Sequence, residues 1–305
     1  ALDDLNPGEV VIRTAYSSIN FKDALAGTGK GKILRRFPLV GGIDVAGHVL
    51  QSRDPAFKEG DAVLVTGSGL SETRDGGYSE IARLDARWVI PLPTGLSLRE
   101  SMILGTAGFT AALALLRMTE NRQTPALGPL AVTGATGGVG SLAVAIFAKA
   151  GFTVHAISGK PEHAAYLTSL GAEEVLSRDA LSTTRAMETA RFGGGLDNVG
   201  GPMLTSLLAQ TAPYGNVASA GLAASAQLDA TVMPFIIRGV SLLGVASAGT
   251  ARDIRDEVWR RLASSWKPAT LEAICTREVA LDGLQDVFTT MLAGGSQGRT
   301  LVRIQ

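Results

Sequence analysis

The sequence predicts an α/β fold, in which a β-rich first domain is followed by a doubly wound parallel sheet. One change of pattern and one motif carry that expectation. Between Glu9 and Trp88 short apolar runs are broken by Gly and Pro, and after Pro93 helical periodicity alternates with strands. The motif is Pro129-Leu-Ala-Val-Thr-Gly-Ala-Thr-Gly-Gly-Val-Gly140, which joins a buried strand to a helix through a glycine-rich turn.

In the first part of the chain the strands fall at 10–16, 44–51, 61–66, 78–83 and 88–91, with turn residues between them, a pattern that suits a compact barrel-like domain. A polar turn and a short helix interrupt it at 17–36. Functional residues concentrate on such loops. Helical periodicity at 97–104 and 106–118 opens the second pattern, whose strands fall at 130–133, 153–158, 174–177, 196–199, 215–220 and 241–245. Six strands with helices between them make a doubly wound sheet. The tail reads as a helix at 252–264, a strand at 278–281, a helix at 283–292 and a strand at 299–304, mixed elements that are expected to return to the first domain.

Gly134, Gly137 and Gly140 lie three apart, where a tight turn, close approach to a pyrophosphate and helix-on-strand packing each exclude a Cβ. The helix that follows carries Val139, Leu142, Ala143, Ile146, Phe147 and Ala150 on one apolar face, and its free N–H groups point at that phosphate. With a strand before it and another at βαβ spacing after it, the motif reads as dinucleotide binding. The second strand ends in Ser158-Gly-Lys160, where an NAD-selective site would carry Asp or Glu for the ribose 2′-hydroxyl. A hydroxyl, a backbone N–H and a cation favour a 2′-phosphate instead. NADPH is the expected cofactor.

Composition excludes several classes. The 28 Lys and Arg equal the 28 Asp and Glu, so no overall field attracts nucleic acid or an anionic membrane. With 46% apolar and 18% charged residues, a chain of 305 residues can bury substantial cores, and disorder is not expected. Cys275 is the only cysteine, so neither an intrachain disulfide nor a thiolate zinc cluster is possible, which fits a reducing cytoplasm. Neither a signal peptide nor an apolar run of about 18 residues is present.

The order of domains and a set of short motifs resemble the medium-chain dehydrogenase/reductase superfamily, and within it the NADPH-dependent acrylyl-CoA reductases. The motifs are Ser18-Ile-Asn-Phe-Lys-Asp-Ala-Leu25, Gly29-Lys-Gly-Lys-Ile33, Gly42-Ile-Asp-Val-Ala-Gly47, Gly105-Thr-Ala-Gly-Phe-Thr110, Thr133-Gly-Ala-Thr-Gly-Gly-Val-Gly140, Thr231-Val-Met-Pro-Phe-Ile-Ile-Arg238 and Gly298-Arg-Thr-Leu-Val302. The resemblance implies a GroES-like catalytic domain over 1–104, a Rossmann NADPH-binding domain over 105–247 and a return to the catalytic domain over 248–305. Family members begin earlier with a β-hairpin, so this chain is expected to start inside its first domain.

The resemblance places Asn20 and Asp23 beside the nicotinamide as catalytic candidates. Asx side chains also cap turns and helix starts. It further implies that Asp23, Thr106, Val139, Ser141, Leu142, Pro161, Glu162, Leu222, Ile236, Ser247 and Arg299 line the cofactor. Arg178, after the next strand, joins Ser158, Gly159 and Lys160 at the 2′-phosphate. Lys30, Lys32, Arg35 and Arg36 could bind the phosphates of coenzyme A, although such a run is more commonly a solvated basic loop.

The family usually carries Tyr where this chain has Phe21, which removes a hydroxyl that could donate the proton. Zinc relatives carry Cys and Gly-His-Glu where this chain has Asn20 and Gly42-Ile-Asp44, and they add four closely spaced Cys. His48, His155 and His163 are scattered, so the enzyme reads as metal-free. The implied reaction is hydride transfer from NADPH to the β-carbon of an α,β-unsaturated acyl-CoA. The rivals are a quinone or enal reductase and a non-catalytic NADPH-binding protein. Pairing of strand 241–245 with its twin implies a homodimer.

Overall fold

The computed structural model describes residues 2–304. The chain divides into two compact units, one of Ala1–Phe109, Ser247–Ser264 and Leu271–Gln305, the other of Thr110–Ala246 and Ser265–Thr270.

The first unit is built on a sheet of seven strands. They are β1 (Val10–Ser18), β2 (Asp44–Ser52), β3 (Ala62–Thr66), β4 (Ile81–Leu84), β5 (Ile90–Pro91), β12 (Cys275–Val279) and β13 (Arg299–Arg303), in the order β12-β13-β1-β2-β3-β5, with β4 also on β1. β1 is central because alternate residues Val10 and Ile12 point inward, where Val45, Val49, Val63, Val65 and Leu84 close a core. Each such side chain contributes about 1.5–3 kcal/mol on burial. Residues 78–80 lie outside β4, contrary to expectation, since Gly77 and Tyr78 donate their N–H groups to Gly42 and Gly41 and bend round that loop instead. Helix α1 (Phe21–Gly27) follows β1, and its Ala24 packs with Val287 and Phe288 of the helix Leu284–Leu292 and Val302 of β13.

Helix α2 (Leu98–Glu120) merges the two expected helices across Gly105, whose φ of 49° and ψ of −156° are not helical. It is long and apolar enough to cross a membrane, but 83% of its apolar window is buried inside the protein, as in a core helix.

The second unit carries β6 (Leu130–Thr133), β7 (Val154–Ile157), β8 (Glu174–Leu176), β9 (Phe192–Asp197), β10 (Thr211–Ser219) and β11 (Ser241–Gly244), all parallel and ordered β11-β10-β9-β6-β7-β8. The connections carry α3 (Gly138–Lys149), α4 (Ala164–Ser169), α5 (Gly201–Ala209) and α6 (Met233–Arg238). The order reverses beside β6, the switch point where doubly wound sheets bind ligands at the strand C-termini. The fourth strand begins at Phe192 rather than 196, because three consecutive glycines give it little β-propensity of its own.

Candidate active site and cofactor cradle

In the first unit the end of β1, the start of α1 and the start of β2 bring short polar side chains to one buried point. Asp44 is its hub. The Asp44 carboxylate accepts from Ser18 Oγ at 2.5 Å, Asn20 Nδ2 at 2.8 Å, Thr106 Oγ1 at 2.6 Å and the Thr106 N–H at 3.1 Å. Thr106 follows the break at Gly105 and so begins a new helical segment, where an N–H lacks a helical acceptor. Arg299 lies 3.8 Å from Asp44 and donates to Ser18 Oγ at 2.6 Å, Asn20 Oδ1 at 3.2 Å and the carbonyls of Ile19 and Ile103 at 2.8 and 3.0 Å. A single guanidinium thereby ties three chain segments together.

Asp23 sits beside this group, 2% exposed, at the third position of α1. Its Oδ2 accepts from the Asn20 N–H at 2.9 Å, one arm of a capping box, and from Asn20 Nδ2 at 3.2 Å, and its Oδ1 accepts from the Ile43 N–H at 3.0 Å. Two buried carboxylates share one guanidinium, and Arg299 contacts Asp44. Burial, then repulsion from Asp44, pushes the Asp23 carboxyl up to about 7 against the pull of those donors. Tyr78 donates to the Ser18 carbonyl at 3.2 Å, and burial followed by the Asp23 charge raises its phenol.

In the second unit the glycine turn has the shape a pyrophosphate needs. Gly134 takes φ of 58°, and a Cβ on Gly140 would fall 2.7 Å from Ala135 Cα and closer still to the Gly134 carbonyl. Gly137 caps α3 without a side-chain hydrogen bond, which leaves the first N–H groups of the helix for an anion. Thr133 Oγ1 donates to Asp197 at 2.7 Å and accepts from the Asn198 N–H at 2.9 Å, which pins the ends of β6 and β9 behind the turn. Burial raises the Asp197 carboxyl.

Other expected positions divide. Arg178 lies against Gly159, where its guanidinium fills the place of a Cβ, while Ser158 Oγ accepts from the Lys160 backbone N–H at 3.0 Å and the Ser158 N–H bonds the Leu176 carbonyl at 2.9 Å. Pro161 and Glu162 follow in an exposed turn, Leu222 and Ile236 are exposed, and Val139 is half-buried. The side chains of Ser141 and Leu142 are buried, and Ser141 Oγ donates to the Ala135 carbonyl at 3.2 Å, so neither side chain faces outward. Helix α3 turns them onto its packed side. Ser247, in the first unit, accepts from Arg255 through its carbonyl at 2.9 Å.

All four cations of the basic run are exposed; Arg35 and Arg36 pair at the surface with Glu72 at 3.4 Å and Asp75 at 3.3 Å. Phe109 and Phe192 are core residues. Among the described residues no group of three or more His, Cys, Asp or Glu side chains is placed to hold a metal ion. Asp44, Ser18 and Tyr78 were not legible as site residues. Asp44 stands in the Gly42–Gly47 motif, but its role depends on partners as distant in sequence as Thr106 and Arg299.

A β-rich unit with a buried polar centre and a parallel-sheet unit with a dinucleotide cradle together define the architecture of a two-domain nicotinamide-dependent oxidoreductase. Residues 6–94 match the alcohol dehydrogenase GroES-like domain, and residues 138–264 match the zinc-binding dehydrogenase family. The Bacillus subtilis protein named "Putative quinone oxidoreductase YhfP" is 46% identical over 99% of this chain and 92% of its own. Acrylyl-CoA reductase AcuI of Ruegeria pomeroyi is 44% identical over 100% of this chain and 92% of its own. The yhdH oxidoreductase of Salmonella enterica, solved in complex with NADP, superposes with a TM-score of 0.97 at 44% identity over 100% of this chain and 94% of its own. YhfP has been solved with NAD bound, and superposes with a TM-score of 0.96 at 45% identity over 100% of this chain and 93% of its own. The chain belongs to the medium-chain dehydrogenase/reductase superfamily, close to its acrylyl-CoA reductases.

Proposed function

We propose that this protein is an NADPH-dependent reductase of α,β-unsaturated acyl-CoA thioesters, with acrylyl-CoA as substrate and propionyl-CoA as product. The observation that carries the reading is the full-length 44% identity with the acrylyl-CoA reductase AcuI. The cofactor, when bound, supplies a hydride. The chain's own residues bind and orient the reactants. Gly134, Gly137 and Gly140 with the start of α3 hold the pyrophosphate, and Ser158, Lys160 and Arg178 hold the 2′-phosphate. Pro161, Glu162, Leu222, Ile236 and Ser247 complete that reading.

Asn20 and Asp23 serve the reaction by fixing the chain around residue 20; the Asn20 N–H is taken by Asp23, so donors to the developing enolate come from the cofactor ribose or from other backbone N–H groups nearby. Both Asn20 side-chain N–H groups are committed to Asp23 and Asp44, so its part is to position rather than to donate. Phe21 is 47% exposed and offers no hydroxyl, so water supplies the α-carbon proton. Lys30 and Lys32 remain available for the phosphates of coenzyme A.

The name given to YhfP supports a second reading, a quinone reductase on the same scaffold. NADPH oxidation followed in parallel with acrylyl-CoA, crotonyl-CoA, a quinone and a small enal separates the two. Preference for the quinone overturns the thioester assignment.

A further inference from the structure

Just past the end of β7 stands a glycine that neither backbone conformation nor main-chain crowding requires. Gly159 is exposed and does not take a left-handed φ. A Cβ built there would nonetheless meet atoms, and the three nearest all belong to the Arg178 guanidinium, with Cζ at 2.7 Å, Nη2 at 2.9 Å and Nε closer still. The guanidinium thus occupies the space that a side chain at 159 would fill. Its position follows from the sheet, because the Ser158 N–H bonds the Leu176 carbonyl and so draws the end of β7 to the end of β8, two residues before Arg178.

We propose that Gly159 is a specificity-determining position, because the absence of a Cβ seats the Arg178 guanidinium on the backbone beside Ser158 and Lys160, facing the 2′-phosphate of NADPH. The inference rests on the NADPH reading above. An exposed arginine normally samples many rotamers, and ordering it on binding is costly. A guanidinium already lying against the chain loses less of that freedom, and its planar fork suits a phosphate in a way that an ammonium does not. A methyl group at 159 would lift the fork out of this seat without disturbing the sheet, since the atoms it displaces end a flexible side chain. Gly159 is thus a positioning residue that acts through Arg178.

The experiment measures dissociation constants for NADPH and NADH, from the fluorescence of the reduced cofactor, for wild type, Gly159→Ala, Arg178→Ala and the double variant, with thermal midpoints as a control on folding. Loss of a charge-assisted contact is worth roughly 10- to 100-fold, so Arg178→Ala should weaken NADPH by that factor and NADH by less than about twofold. Gly159→Ala should cost NADPH about 10-fold and NADH nothing, and should add nothing once Arg178 is already Ala. The inference falls if Gly159→Ala leaves NADPH affinity intact, weakens both cofactors alike, or still weakens NADPH without Arg178.

If Gly159→Ala does not fold, the double variant must fold as Arg178→Ala does, because the crowding has been removed. Failure of the double variant also overturns the idea. If instead Arg178→Ala does not separate NADPH from NADH, the assignment of the 2′-phosphate site fails, which is a different result.

Discussion

The buried carboxyl of Asp23 makes stability depend on pH in a direction opposite to most acidic groups. An unfolded aspartate titrates near 3.9. In the folded protein burial and the Asp44 charge push Asp23 up to about 7, so between these values the native state holds a proton that the unfolded chain has released. Stability from this group is therefore complete below about pH 4, is lost as pH rises through about 7, and is level above that. Three units at 1.36 kcal/mol each set a ceiling on the order of 4 kcal/mol. Relaxation around the Asp44 and Arg299 pair should make the observed change smaller. Glu72, lowered by Lys22, changes stability in the opposite sense, losing its contribution as pH falls, so the wild-type curve alone mixes both.

Asp23→Asn isolates the effect. The amide keeps one acceptor and turns an NH₂ toward either Ile43 or Asn20, a cost of about 1–3 kcal/mol that does not vary with pH. The wild type's advantage should be greatest near pH 4 and shrink by up to about 4 kcal/mol on the way to pH 8, closing or reversing there, as the wild type alone pays for burying an anion. Denaturant unfolding at four pH values, read through the fluorescence of Trp88 and Trp259 in the first unit, measures the gap. Two parallel stability curves between pH 4 and 8 would show that Asp23 is ionised throughout and that the argument from burial is wrong.

Lys160→Ala should weaken NADPH by roughly 10-fold and leave NADH almost unchanged, with the difference shrinking in salt because the site is only partly buried. Equal losses for the two cofactors would remove Lys160 from the 2′-phosphate. Lys30→Ala with Lys32→Ala should raise KM for a CoA thioester and spare kcat and the turnover of a small enal, since phosphate contacts far from the reacting carbon act as uniform binding. A loss on the enal as well would return both lysines to the solvated loop.

Arg255→Met should destabilise the first unit by at least about 1–3 kcal/mol, because the guanidinium serves the Thr66 carbonyl and hydroxyl and the Ser247 carbonyl while stacking 4.6 Å above Phe109, and those acceptors lose their donor. Arg255→Lys should recover part of the loss, and an unchanged thermal midpoint for the methionine variant would show those acceptors to be satisfied otherwise. β11 lies at the edge of its sheet, and we expect it to pair with its twin in a homodimer, to be checked by solution mass across concentration.

What the sequence by itself determined is what local pattern can encode. The glycine spacing of 134, 137 and 140, the apolar periodicity of α3 and the break at Gly105 are properties of neighbouring residues, and each appears where its pattern stands. β9 shows the limit of that reading, because its glycines carry no strand preference and only pairing with β6 and β10 makes them extended. Tertiary structure alone decided the chemistry of the polar centre. Asn20 and Asp23 could be recognised as candidates, but Asp44 became the hub only when Thr106 and Arg299 arrived from elsewhere in the chain. The same holds for the basic run, where only the fold brings Glu72 and Asp75 to Arg35 and Arg36. A side chain's charge is written in its own residue, but the proton affinity of Asp23 is set by burial and by Asp44, and both exist only after the strands have closed around it.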